Sequence, residues 1–155
     1  MKYFHYIFSP LFYIGVSLAG RFFTRNGLTD WYPILAKPPY TPPGSIIGMA
    51  WTIIFVLTAI SLILFINAGR NKSWFWPVVS LYLFNGIVNA AWSYFFFTRH
   101  WIGLAVIDSA CIAVTVLLMI IFAGKHSRAA GILLVPYLGW VSFATFLTYV
   151  IYRSN

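Results

Sequence analysis

Acidic residues are nearly missing: Asp30 and Asp108 stand against ten Lys and Arg, a net charge of +8 over 155 residues. A chain so short of carboxylates has no second acid to partner Asp108 in general acid–base hydrolysis. Cys111 is the sole cysteine, which excludes a disulfide framework and a cysteine zinc site. Charge of either sign is scarce, at 8% of residues, where a soluble domain carries roughly a quarter. Intrinsic disorder, collagen and coiled coil are excluded as well, because 21% of the residues are aromatic and there is no Gly-X-Y period. What fills the chain instead is apolar surface. At 61% apolar, it exceeds what one core could hide, since a domain of about 150 residues leaves roughly a third of its unfolded surface exposed. The excess faces lipid. The ten cations are scattered singly or in pairs between long apolar runs, as at bilayer exits, so nucleic acid is not an expected partner.

Read as punctuation, the charges leave segments 3–20, 38–69, 73–98 and 129–152 free of Lys, Arg, Asp and Glu, and 101–124 with Asp108 alone. Each reaches the roughly 20 residues a helix needs to cross hydrocarbon. Residues 51–66 and 112–122 are almost continuously apolar, unlike the alternation of a membrane strand. The expected fold is all-α: one domain over 1–155, an integral membrane five-transmembrane-helix bundle with a long ordered first loop. Its helices fall at about 3–22, 43–67, 74–98, 101–123 and 129–152, and its lid loop at about 23–42. Short turns at 69–72, 99–100 and 125–128 make helices two to five antiparallel neighbours. Lys2 and Ser17-Leu18-Ala19 have the outline of a signal peptide, but Pro10 and the many aromatics favour a span. Lys2, Arg70, Lys72, Lys125 and Arg128 on one side balance Arg21, Arg25, Lys37, Arg99 and Arg153 on the other, so the positive-inside count gives no orientation.

The first connection is rich in Pro and aromatics, including Trp31, Tyr32, Pro38, Pro39, Tyr40, Pro42 and Pro43, which points to an ordered segment packed on something. Of the seven tryptophans, Trp31, Trp74, Trp76 and Trp101 sit at segment ends, where headgroup anchoring explains them. Trp51, Trp92 and Trp140 lie inside segments, where an indole N–H seeks an acceptor. Helical spacing sets Tyr82, Asn85, Asn89, Trp92 and Ser93 on one face, Ile47, Trp51, Phe55 and Thr58 on another, and Tyr137, Trp140, Ala144 and Leu147 on a third. Asp108 aligns with Cys111 and Thr115 and must face inward, as a structural acid or as part of a site. His5, His100 and His126 sit at segment ends, and no metal cluster, phosphate loop or nucleophile motif is present. An aromatic cavity with a few orienting polar groups suits a flat hydrophobic ligand and favours binding over chemistry. Gly86 and Ala90, like Gly15 and Ala19, form small-xxx-small pairs that let helices approach, so helix three is a candidate dimer face.

These residues give the chain its resemblance to the TspO/MBR family of translocator and tryptophan-rich sensory proteins. It rests on Trp31-Tyr32, Lys37-Pro38-Pro39-Tyr40-Thr41-Pro42-Pro43, Trp51-Thr52, Asn89-Ala90-Ala91-Trp92-Ser93 and the run from Pro136 through Tyr137 and Trp140 to Thr145. At Tyr40 the family commonly has Trp. The resemblance implies a homodimeric bundle in the bacterial cell membrane whose first loop caps a pocket for porphyrins and for isoquinoline or benzodiazepine-type ligands, in tetrapyrrole or stress regulation. By similarity that ligand site comprises Tyr32, Pro42, Ile47, Trp51, Phe55, Asn89, Trp92, Asp108, Trp140, Ala144 and Leu147. Porphyrin enters as ligand; no cofactor and no metal is required. The alternative implied is an enzyme that degrades protoporphyrin IX with light and oxygen, with Trp51 and Trp140 catalytic. Leu147, Tyr149 and Arg153 match a short sterol pattern.

Overall fold

Charge-free apolar runs become helices because a chain in hydrocarbon must satisfy its own backbone groups. The computed structural model describes residues 3–69 and 74–155. Its helices are α1 (Phe4–Asp30), α2 (Gly44–Gly69), α3 (Phe75–Ser93), α4 (Ile102–Gly124), α5 (Arg128–Leu133) and α6 (Val135–Ser154), and among the described residues there is no strand. Lys2, Arg70 and Lys72, with most of the expected turn at 69–72, lie outside the described residues. Four helical stretches are long and apolar enough to cross a membrane: α1, α2, α4 and the continuous run Arg128–Ser154. α3 is not among them, because it carries Asn85 and Asn89 on the face that it buries.

One boundary departs from the expected ones, and two of the expected helices change character within their bounds. α1 runs on to Asp30, so the first loop occupies residues 31–43 and not 23–42. A cation ends a span in lipid without ending a helix, and Arg is a good helix former. Thr24 Oγ1 donates to the Gly20 carbonyl at 2.7 Å, and the Arg25 guanidinium lies 5.0 Å over the Phe22 ring. α3 ends in a π-helical turn, Tyr94–Thr98, in which Arg99 N–H reaches the Tyr94 carbonyl at 2.9 Å. The chain then reverses through His100, at φ 58°. The last expected helix is interrupted at Leu134, since Pro136 has no N–H to continue the ladder and opens α6 instead. Ser127 caps α5 by accepting the Ala130 N–H at 3.2 Å.

Packing closes a ring in which α1 lies on α2 and α3, α3 on α4, α4 on α6, and α5 on α2 and α4. α2 touches α3 only briefly, so these two consecutive helices are not the close neighbours their short connection suggests. The ring hides Leu62, Phe65, Tyr82, Ile112, Val116, Met119 and Tyr137 at its centre, while Ile87, at 62% exposure, and Ile107, at 67%, point outward as lipid-facing side chains do. Ser61 and Tyr82 pair in this centre. Ser61 Oγ donates its one proton to the Ala130 carbonyl at 2.7 Å, so the 2.6 Å contact with Tyr82 is a bond donated by the phenol, and α2, α3 and α5 are tied at one point.

Gly86 is turned to α1. A Cβ there would stand 2.6 Å from Cε1 of Phe12, so its missing side chain serves contact within the chain. Ala90, Gly15 and Ala19 line an apolar groove of about 630 Å³ between the same two helices. Gly27 is tighter in kind: its Cβ would meet the Phe97 carbonyl oxygen at 2.5 Å, a backbone atom of the π turn that cannot swing away. Gly27→Ala is therefore expected to cost about 1–3 kcal/mol and Gly86→Ala less, because the Phe12 ring can rotate. Unfolding of the two variants in mixed micelles checks the ranking, and equal stabilities would refute it.

Candidate ligand cavity

The polar face of α3 organises the interior. Tyr137 of α6 donates its hydroxyl to Asn85 Oδ1 at 3.0 Å and accepts from Asn89 Nδ2 at 2.9 Å. Asn85 Nδ2 continues to Thr115 Oγ1 of α4 at 2.7 Å, and Thr115 donates to the Ile112 carbonyl at 2.8 Å. Three helices are thus locked by a buried chain in which both hydroxyl protons have acceptors. The Tyr137 ring in turn holds Trp51 edge-on at 5.9 Å, and Trp51 stacks on Phe55 at 5.7 Å.

Above this network opens a cavity of about 520 Å³. All of the expected pocket residues except Asp108 line it: Tyr32, Pro42, Ile47, Trp51, Phe55, Asn89, Trp92, Trp140, Ala144 and Leu147. Trp92 lies parallel to Phe96 at 5.0 Å, and Trp140 leans on Phe143 at 5.8 Å. The Nε1 atoms of Trp92 and Trp140 are both buried without an acceptor, a state that costs about 1–3 kcal/mol per group. Neither N–H is open to the cavity as the rings stand, and a turn of the indole is needed to offer it to an acceptor there.

The first loop lends Tyr32 and Pro42 to the cavity wall. Lys37 Nζ donates to the carbonyls of Tyr32 at 2.6 Å and Leu35 at 3.0 Å and sits 4.6 Å over the Tyr32 ring, so one ammonium gathers the loop on itself. Trp31 stacks on His100 at 4.1 Å, Tyr32 meets Phe97 at 5.7 Å, and Tyr40 stacks on Phe146 at 6.3 Å. Asn155 accepts from Ala36 N–H at 2.9 Å and donates back to the Ala36 carbonyl at 3.1 Å. Burial raises the pKa of the Tyr32 phenol, so the loop presents it protonated at neutral pH.

Two expectations are corrected. Asp108 is half-buried but does not line the cavity; its neighbours Ser109 and Ile112 do. At 100° per residue, the step from Ser109 back to Asp108 turns the carboxylate aside, and its Oδ2 is buried with no hydrogen-bond partner. The sterol triplet does not form one surface either. Leu147 lies inside at 8% exposure and Tyr149 outside at 47%, as positions two apart on a helix must, and Arg153 shares the outer side with Tyr149.

Sequence reading missed the contribution of α1. Ser17, Gly20, Arg21, Thr24, Arg25 and Leu28 all line the cavity. Their three- and four-residue spacing was the available signal, masked because Arg21 and Arg25 were taken as the end of a span. Phe96 and Phe97 were missed because a π turn, which turns both rings inward, has no simple sequence period. Tyr137→Phe removes a proton from Asn85 and an acceptor from Asn89, and the expected loss is about 1–2 kcal/mol of stability. A double-mutant cycle with Asn85→Ala, followed by denaturant unfolding in bicelles, checks this, and strict additivity would show that the two side chains are not coupled.

The model of the TspO/MBR family matches residues 7–153. The tryptophan-rich protein TspO of Bacillus cereus is 43% identical over 126 residues, covering 81% of this chain and 80% of that one. An uncharacterised membrane protein of Bacillus subtilis, YtaB, is 38% identical over 143 residues, 90% of this chain and 88% of its own. The human translocator protein is 31% identical over 147 residues, with 92% and 84% covered.

Proposed function

We propose that this chain, which belongs to the TspO/MBR family and is a multi-pass membrane protein, is a receptor or carrier for porphyrins and other flat hydrophobic molecules. The bacterial cell membrane expected for it agrees with its likeness to the two Bacillus proteins. In this reading α3 is a fifth span, which turns Asn85 and Asn89 inward and Phe84 and Ile87 to lipid, and residues 31–43 are the lid. The observation that carries the proposal is the aromatic, largely apolar lining of the cavity, with Asn89 among its few polar groups. A flat ring system fits such a lining. Isoquinoline and benzodiazepine-type ligands, and sterols, would compete for the same volume. A homodimer, as the family resemblance implies, belongs to the proposal and is measured by sizing the detergent-solubilised chain.

Tryptophan fluorescence tests the site. Protoporphyrin IX is expected to quench it saturably, an isoquinoline carboxamide to reverse the quenching by competition, and Trp51→Phe with Trp140→Phe to weaken affinity at least about tenfold, or about 1.4 kcal/mol. Unchanged affinity in the double variant would move the ligand elsewhere. The second reading, light- and oxygen-dependent breakdown of protoporphyrin IX, draws on the presence of Trp51 and Trp140 on one cavity wall. It requires product to form faster than with free porphyrin in detergent and to slow when either tryptophan is replaced.

A further inference from the structure

Taking the cavity as a site for flat ligands, an inference that rests on the reading above, we propose that Arg21 and Arg25 form its anion-recognising rim and select ligands bearing carboxylates along one edge. These two are the only formally charged side chains on the cavity wall, both positive and both on α1. They stand four residues apart, about 6 Å along the axis, and both are exposed. Like charges at this spacing repel. The chain has almost nothing to offset them. Its only acids are Asp30 and Asp108, neither lines the cavity, and among the described residues no carboxylate is paired with either guanidinium. The Arg25 guanidinium packs over the outward-facing Phe22 ring, an exposed contact that it leaves to turn its donors to a ligand at the opening.

The deeper wall is of another kind. Trp51, Phe55 and Trp140 offer aromatic faces and no charge. A molecule matched to both parts is amphiphilic: a flat apolar body lies among the rings, and acidic groups on one edge reach back to α1. Guanidinium and carboxylate pair through two parallel hydrogen bonds, and two such pairs one turn apart suit a dicarboxylate whose acids sit side by side. Ser17, one turn below Arg21 on the same face of α1, adds a hydroxyl donor, while that of Thr24 is held by the Gly20 carbonyl. The phosphate of an anionic lipid offers the same oxyanion chemistry from the bilayer side, so the test must separate the two sources.

The full chain in non-ionic detergent is titrated with three probes read by tryptophan quenching: protoporphyrin IX, its neutral dimethyl ester, and a neutral isoquinoline carboxamide. Wild type is expected to favour the free acid over the ester, with the preference shrinking as salt is raised. Arg21→Gln with Arg25→Gln should weaken the free acid at least about tenfold and leave both neutral probes within about twofold, whereas Arg21→Lys with Arg25→Lys should retain much of the preference. The neutral probes also report that the glutamine variant is folded. Equal losses for acid and ester, or an unchanged affinity for the acid, would overturn the proposal while leaving the cavity reading intact. If wild type bound none of the three, the cavity reading would fall, and this one with it. Retention of phosphatidylglycerol by wild type, lost in the glutamine variant with no change in protoporphyrin affinity, would assign the rim to lipid headgroups and equally overturn it.

Discussion

The Tyr137 hydroxyl, set between Asn85 and Asn89, is the contact on which the rest depends. Apolar side chains do little to choose between helix arrangements in lipid, since hydrocarbon solvates them as well as a neighbouring helix does. A buried amide or phenol discriminates, because it must find a partner or bear the cost of having none. Through Asn85 the same chain of bonds reaches Thr115, so α3, α4 and α6 have their relative depth and rotation set at one point. Once α6 is rotated so that Tyr137 meets α3, Trp140, Ala144 and Leu147 follow on the same face and become cavity wall. The site is a consequence of the lock.

The cavity also shows how a membrane bundle keeps open space without collapsing. Its walls are stiff rings braced from behind: Trp51 by Tyr137 and Phe55, Trp92 by Phe96, and Tyr13 stacked on Phe55 at 6.1 Å. Close backbone approach at Gly27 and Gly86 draws α1 against the far side. The first loop is held by polar contacts at its middle, through Lys37 and Asn155, and by ring stacking through Trp31 and Tyr40. A short run of prolines is stiff between such anchors and needs few of them.

Much of the site was legible in one dimension. Tyr137, Trp140, Ala144 and Leu147, or Asn85, Asn89 and Trp92, lie at helical spacing in an uninterrupted segment, and a regular helix converts that spacing into a face without further information. Asp108 shows the limit of the method. Its chemical distinction drew attention, yet one residue of rotation puts Ser109 on the wall and the carboxylate beside it. Arg21 and Arg25 show the opposite error, since charge marks where lipid ends and is silent about where a helix does.

By itself the sequence determined that this chain lives in a bilayer, that it is helical, and that a polar aromatic set lies inward, because these follow from composition and period, which are local quantities. Tertiary structure decided which helices adjoin, and here it departed from chain order: α1 packs along both α2 and α3. It also decided that Gly86 meets Phe12 within the chain, and that two cations of the first helix reach the same space as the tryptophans of α2 and α6. Those outcomes depend on distances between residues far apart in the chain, which are set only when hydrogen bonds such as that from Tyr137 to Asn85, and glycine contacts such as that of Gly27, draw the helices to their final separations.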